Sequence, residues 1–182
     1  LHGAEALVRW NHPERGLVPP DEFIPIFEHN GFITKMDEYV WEQVCRLQRS
    51  WLDKGLPVVP ISVNISRRDI YNPHLVDIIT DLVARYRLNT SLIRLEITES
   101  AYMENAKQLI RVVERLRSAG FAVEMDDFGS GYSSLNTLKE VPVDMLKLDM
   151  KFLQGDENNP RGGNILTSII RMAHWIDLPV LA

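Results

Sequence analysis

Apolar and polar positions follow two alternating rhythms along this chain. Short apolar runs at residues 4–10, 58–64, 92–98, 121–126, 144–148 and 178 to the end are bounded by polar or turn-forming residues. Runs of this kind predict strands buried on both faces, as in parallel sheets. Between them the apolar spacing lengthens to the helical period. Pro20–Asn30 opens on proline and closes on Gly31, the usual start and stop signals. Residues 33–54 predict the longest helix, ending at Gly55, with further helices at 73–86, 104–119 and 163–175 and a short one at 136–140 before Pro142. Within 104–119, Leu109, Val112, Val113 and Leu116 share one face, and Gly120 follows as a cap.

Alternating strands and helices imply parallel strands joined by crossover helices. Two architectures compete, an open doubly wound sheet and a closed (β/α)8 barrel. A barrel takes eight strands in roughly 250 residues. Six strands in 182 residues fit a TIM-like barrel that lacks a strand at one or both ends. No linker or low-complexity segment divides the chain, so residues 1–182 are expected to form one domain.

Composition narrows the function. With 45% hydrophobic and 25% charged residues the chain has enough apolar material for one substantial core. The net charge of -5 gives no general attraction for DNA or RNA, so an anionic ligand must be held by local features. The lone Cys45 cannot form an internal disulfide and no CxxC pair exists, which points to a reducing, cytoplasmic setting. No apolar run approaches the roughly 18 to 20 residues of a spanning helix, and no signal peptide is visible, so this segment is expected to make no membrane contact. The chain starts abruptly at LHGAEALVRW and stops at LPVLA, and reads as a piece of a larger protein.

The ends of the predicted strands carry the chemistry, as they do in barrels. The first strand brings Glu5 and Arg9, and the second ends on Asn64. The third supplies Glu96, Thr98 and Glu99, the fourth Asp126 and Asp127, and the fifth Lys147 and Asp149. Each has an ordinary explanation: Asn64 can cap a turn, Ser66 can open a capping arrangement toward Asp69, Glu99 can be solvated, and Lys147 can snorkel or pair with Asp149. Packing alone does not ask for such groups on five strands, because unpaired buried charges cost several kcal/mol. Glu5, Asn64, Glu96, Asp126 and Asp127 are all oxygen donors, suited to the hard ions Mg2+ or Mn2+. The five histidines show no zinc spacing. Adjacent aspartates suit a site with two divalent ions, which positions water for attack on a phosphodiester. Lys147 and Arg9 then supply positive charge. A metal-assisted proton abstraction of the enolase kind also uses strand-end carboxylates and a lysine. Phe128-Gly-Ser-Gly131 lacks the lysine and spacing of a P-loop, which rejects a nucleoside triphosphatase.

These residues resemble the EAL domain family of cyclic di-GMP phosphodiesterases. The resemblance is carried by Glu5-Ala-Leu-Val-Arg-Trp10, Gly16-Leu-Val-Pro-Pro-Asp-Glu-Phe-Ile-Pro25, Val63-Asn-Ile-Ser66, Glu96-Ile-Thr-Glu99, Asp126-Asp-Phe-Gly-Ser-Gly-Tyr-Ser-Ser-Leu135 and Val143-Asp-Met-Leu-Lys-Leu-Asp149, in order over essentially the whole chain. It implies a (β/α)8-type barrel of the EAL kind, here about six of eight strands, and hydrolysis of cyclic di-GMP to linear pGpG by a two-metal mechanism. It implies Glu5, Asn64, Glu96 and Asp126 as metal ligands, with Asp127 serving the second ion. Lys147 then lies beside the attacking water with Asp149 as its companion. Arg9 binds phosphate, Leu7 and Asp149 meet substrate, and Glu99 holds the loop after Asp127. Ser130 stands where the family more often has threonine. The family has a further glutamate, then a glutamine, beyond the last residues here; a piece without them is expected to be poorly active and to expose sheet edges. The resemblance also implies a homodimer, with sensory or diguanylate cyclase domains in the parent protein. A degenerate EAL module that binds cyclic di-GMP without cutting it is the alternative.

Overall fold

The computed structural model describes residues 3–129, 135–149 and 160–181. They gather into two compact units, Leu1–Leu95 and Glu96–Ala182, with the boundary inside one strand.

In the first unit, β1 (Ala4–Glu5) pairs in parallel with β4 (Ile61–Asn64), Glu5 standing opposite Ser62. The order continues to β5 (Ile93–Thr98), whose first half belongs to this unit. The first strand is shorter than its apolar run predicted. The chain leaves it to form a hairpin of β2 (Trp10–His12) and β3 (Gly16–Val18), in which Trp10 pairs with Val18. His12 builds the turn, its Nδ1 accepting the backbone N–H groups of Glu14 and Arg15 at 3.1 and 3.2 Å. Trp10 then meets Phe23 edge-on, with ring centres 5.7 Å apart.

Helix α1 (Pro20–Asn30) has the predicted bounds. Gly31 ends it at φ 79, a left-handed conformation that suits glycine, and a Cβ there would lie 2.9 Å from the Arg68 guanidinium. Helix α2 (Ile33–Asp53) buries Trp41, Val44, Cys45 and Gln48 on one stripe. The Gln48 amide donates to the carbonyls of Val59 and Leu92 at 2.8 and 3.2 Å, tying down the approaches to β4 and β5. Both bonds are made by the amide nitrogen, which satisfies the buried donor. Helix α3 (Arg67–Ile70) is capped by Ser66, whose Oγ accepts from the Asp69 N–H at 3.3 Å, the capping arrangement expected. Helix α4 (Leu75–Arg85) buries Leu75, Val76, Ile79, Leu82 and Val83 on one face.

The second unit begins with the latter half of β5 and continues in the order β5, β6 (Ala122–Phe128), β7 (Met145–Leu148), β8 (Val180–Leu181). Helix α5 (Glu99–Ser118) starts five residues earlier than its pattern predicted. The reason is a break at Asn105, whose φ of -157 and ψ of 82 are non-helical. The Asn105 side chain caps the longer segment after the break, accepting the Gln108 N–H at 3.1 Å. Leu109, Val112, Val113 and Leu116 form the buried stripe of that second segment. Asp144 fastens the end of α5 to the start of β6, receiving the Val123 N–H at 2.9 Å and the Arg117 guanidinium at 2.9 to 3.2 Å. Helix α6 (Leu135–Glu140) precedes β7, and α7 (Pro160–Trp175) precedes β8. Strands β6, β7 and β8 pair in parallel.

Candidate active site

Strands β5, β6 and β7 are consecutive neighbours, so the polar groups at their ends converge without a long-range loop. Glu96 is 1% exposed, its backbone fixed by the ladder of β5. Lys147 on β7 donates to Glu96 Oε1 at 2.7 Å and lies 3.4 Å from Asp126 Oδ1 on β6. One ammonium thus stands between two carboxylates. An ionised carboxylate this deeply buried is sustained only by paired charge and hydrogen bonds. The same arrangement fits a hard divalent ion, since two carboxylate oxygens face one cationic atom.

The adjacent acids Asp126 and Asp127 are separated by a local irregularity. Met125 pairs with Leu146 but Phe128 pairs with Leu148, so β6 carries one residue more than β7. This is a β-bulge, a device that re-aims side chains at strand ends. Asp127 takes up the change at φ 56, in the left-handed region that is uncommon for a non-glycine residue. It is exposed, whereas Asp126 is half-buried. Gly129 follows at φ 99, and its N–H donates to Glu99 Oε2 at 3.3 Å. Buried Glu99 therefore holds the first turn after the aspartates. Asp149 donates its N–H to the Phe128 carbonyl at 3.2 Å. The hydroxyl of Ser130 and the rest of the glycine-rich stretch through Ser134 lie outside the described residues.

In the first unit Glu5 and Asn64 lie on paired strands, each exposed at its strand's end. Leu7 and Arg9 are exposed just beyond β1, and Arg9 Nη1 donates to the Val8 carbonyl at 2.8 Å. The Asn64 carbonyl accepts the indole N–H of Trp41 at 3.0 Å. Trp41 is a contact sequence reading missed, although a buried tryptophan must place its N–H somewhere. Cys45 offers no nucleophile: burial, and then nearby Glu42, push its thiol up to about 12. No helix among the described residues is long and apolar enough to cross a membrane.

Known proteins share the sequence and the fold. The model of the EAL domain family matches residues 1–182. The bifunctional diguanylate cyclase/cyclic di-GMP phosphodiesterase MucR of Pseudomonas aeruginosa is 36% identical over 180 residues, covering 99% of this chain and 26% of that protein. The cyclic di-GMP phosphodiesterase NbdA of the same organism is 39% identical over 182 residues, covering 100% of this chain and 23% of its own length. The chain thus spans about a quarter of these relatives. Among solved structures, the PaMucR phosphodiesterase in complex with c-di-GMP superposes with a TM-score of 0.89 at 36% identity, covering 97% of this chain and 71% of that one. The α/β fold expected from the sequence is the one shared with that structure. With its motifs, its fold and its full-length match in agreement, this chain belongs to the EAL domain family.

Proposed function

We propose that this chain is the catalytic core of a phosphodiesterase that hydrolyses cyclic di-GMP to linear pGpG in bacterial second-messenger signalling. The observation that carries this reading is the Glu96–Lys147–Asp126 arrangement, with Lys147 Nζ 2.7 and 3.4 Å from the two carboxylates. It is supported by the relatives that carry the same activity in their names.

Glu5, Asn64, Glu96 and Asp126 are the residues that would hold divalent ions, Mg2+ or Mn2+, with Asp127 serving a second ion. The placing of Glu5 and Asn64 in this set rests on their motifs. When bound, such ions supply charge for the phosphate oxygens and lower the pKa of water. Lys147 holds its protons at Nζ beside both acids, where it orients a water molecule and balances charge as they exchange partners. Glu99 fixes the turn after Asp127 through Gly129, so Asp127 keeps its strained conformation. Arg9 binds phosphate, and Leu7 and Asp149 shape the substrate's seat. The parent protein is proposed to be a cytoplasmic or membrane-anchored homodimer with sensory or cyclase domains, as the bifunctional name of MucR suggests.

The test is product analysis. The full-length protein with Mg2+ or Mn2+ should convert cyclic di-GMP to pGpG, and Asp126→Asn should lower the rate by about a hundredfold or more. Tight binding of cyclic di-GMP with no pGpG formed would make the protein a receptor instead.

A further inference from the structure

A second pair of buried acids takes no part in this chemistry. Asp37, on the inner face of α2, is 5% exposed, and Asp69, in α3, is 1% exposed. The two side chains lie within hydrogen-bonding reach of each other. An ionised carboxylate only accepts hydrogen bonds, so a bond between two of them requires a proton on one. Ser66 provides the nearby donors: its N–H reaches Asp37, and its hydroxyl donates to Asp69 Oδ2 at 2.6 Å. One oxygen of each acid, Asp37 Oδ2 and Asp69 Oδ1, is buried with no N–H or O–H donor among the described residues. A proton held between the side chains answers that lack. Burial, and then the hydrogen bond and charge of Asp69, push Asp37 up to about 9. Asp69 is the charged group that faces Asp37. Of the arginines of α3, Arg67 comes within 3.6 Å of Glu28 and Arg68 lies over Gly31.

The pair's place in the fold gives it a task. Ser66 is two residues beyond Asn64. Trp41, one turn along α2 from Asp37, donates to the Asn64 carbonyl at 3.0 Å. Helix α2 therefore grips the end of β4 at two successive points. The grip on Asn64 is independent of protonation, whereas the grip on Ser66 belongs to a cluster that needs a proton.

We infer that Asp37 and Asp69 are positioning residues: bridged by one proton, they fix the end of β4 so that the Asn64 amide is presented to a divalent ion, and loss of that proton loosens it. The task of Asn64 rests on the function proposed above. The experiment is Mg2+ titration calorimetry on the full-length protein and its Asp69→Asn and Asp69→Ala variants from neutral pH to just above pH 9, with circular dichroism to check the fold. Asp69→Ala should weaken Mg2+ binding by about tenfold or more, the size seen when partners of metal-binding side chains are lost. Asp69→Asn should keep near wild-type affinity, because its amide N–H replaces the shared proton. The wild type should lose affinity on the alkaline side, and Asp69→Asn should lose less. Titration of Lys147 is common to both and cancels in their difference.

An identical alkaline loss in the wild type and Asp69→Asn, or unchanged Mg2+ binding by a folded Asp69→Ala, overturns the inference. If Asp69→Ala does not fold, the comparison of wild type with Asp69→Asn decides alone. Wild-type protein that binds no Mg2+ at any pH removes the metal site and this inference together. Intact Mg2+ binding without hydrolysis counts against the phosphodiesterase reading and leaves the inference standing.

Discussion

Glu96 and Asp37 are both nearly sealed from water, at 1% and 5% exposure, yet the protein neutralises them by different means. Glu96 faces the Lys147 ammonium at 2.7 Å, with half-buried Asp126 sharing the same cation. Asp37 faces another acid and a serine, burial and that acid push it up to about 9, and the proton inferred above takes the place of the cation. Burial raises the energy of an isolated charge in both places, and the neighbours decide the remedy. A cluster balanced by a lysine can exchange that cation for a metal ion. A cluster balanced by a proton holds its shape and has no cation to exchange. We propose chemistry for the first and support for the second.

The sharpest way to break this comparison is to remove the lysine. Lys147→Met should abolish turnover and cost about 3–5 kcal/mol of stability in chelator, the usual penalty for stripping one partner from a buried ion pair. Added Mg2+ should recover part of that loss. Urea unfolding with and without Mg2+ measures both, and a variant as stable as the wild type in chelator would show that the lysine does not balance Glu96. Next in size is Trp41→Phe, which keeps a ring but deletes the donor to the Asn64 carbonyl. It should cost roughly 1–3 kcal/mol by leaving that carbonyl short of a partner, again read from urea midpoints.

The supporting pair is probed through the slope of stability with pH. Asp37 is raised from 3.8 unfolded to about 9 folded, so the folded state holds the proton longer than the unfolded chain. Its contribution is fully present below about pH 4 and is lost as pH rises toward about 9. Asp37→Asn should flatten this decline and gain on the wild type toward alkaline pH. Parallel curves of urea midpoint from pH 5 to 10 would contradict it. The smallest effect belongs to the surface. Half-buried Arg49 and exposed Asp53 pair at 2.6 Å, one helical turn apart. Arg49→Ala should shift stability by no more than about 0.5 kcal/mol, because water screens such pairs.

Much of the fold was legible from residue order. Proline and Gly31 mark α1 at both ends, since one removes a donor the first turn does not need and the other accepts a left-handed φ. Continuous apolar runs marked the inner strands β4, β5 and β6, because burial on both faces leaves no polar alternation. The hairpin at Trp10–His12 and Gly16–Val18 was missed; three-residue strands are too short to show a period. The early start of α5 was hidden because its first turns belong to a separate segment ahead of Asn105. In the site, Glu96, Asp126 and Lys147 were legible as polar groups at strand ends. Asp37 was not, since an aspartate within a helical pattern reads as part of a solvated face.

The sequence by itself determined which groups end each strand, and with them the family and the oxygen-rich chemistry, because strand ends are set by local pattern and motif spacing. Tertiary structure alone decided how each buried acid is neutralised. It set Lys147 between Glu96 and Asp126, gave β6 the bulge that separates Asp126 from Asp127, and laid Asp37 against Asp69. The charge a carboxyl carries depends on the few groups within hydrogen-bonding reach, and those come from elements far apart in the chain.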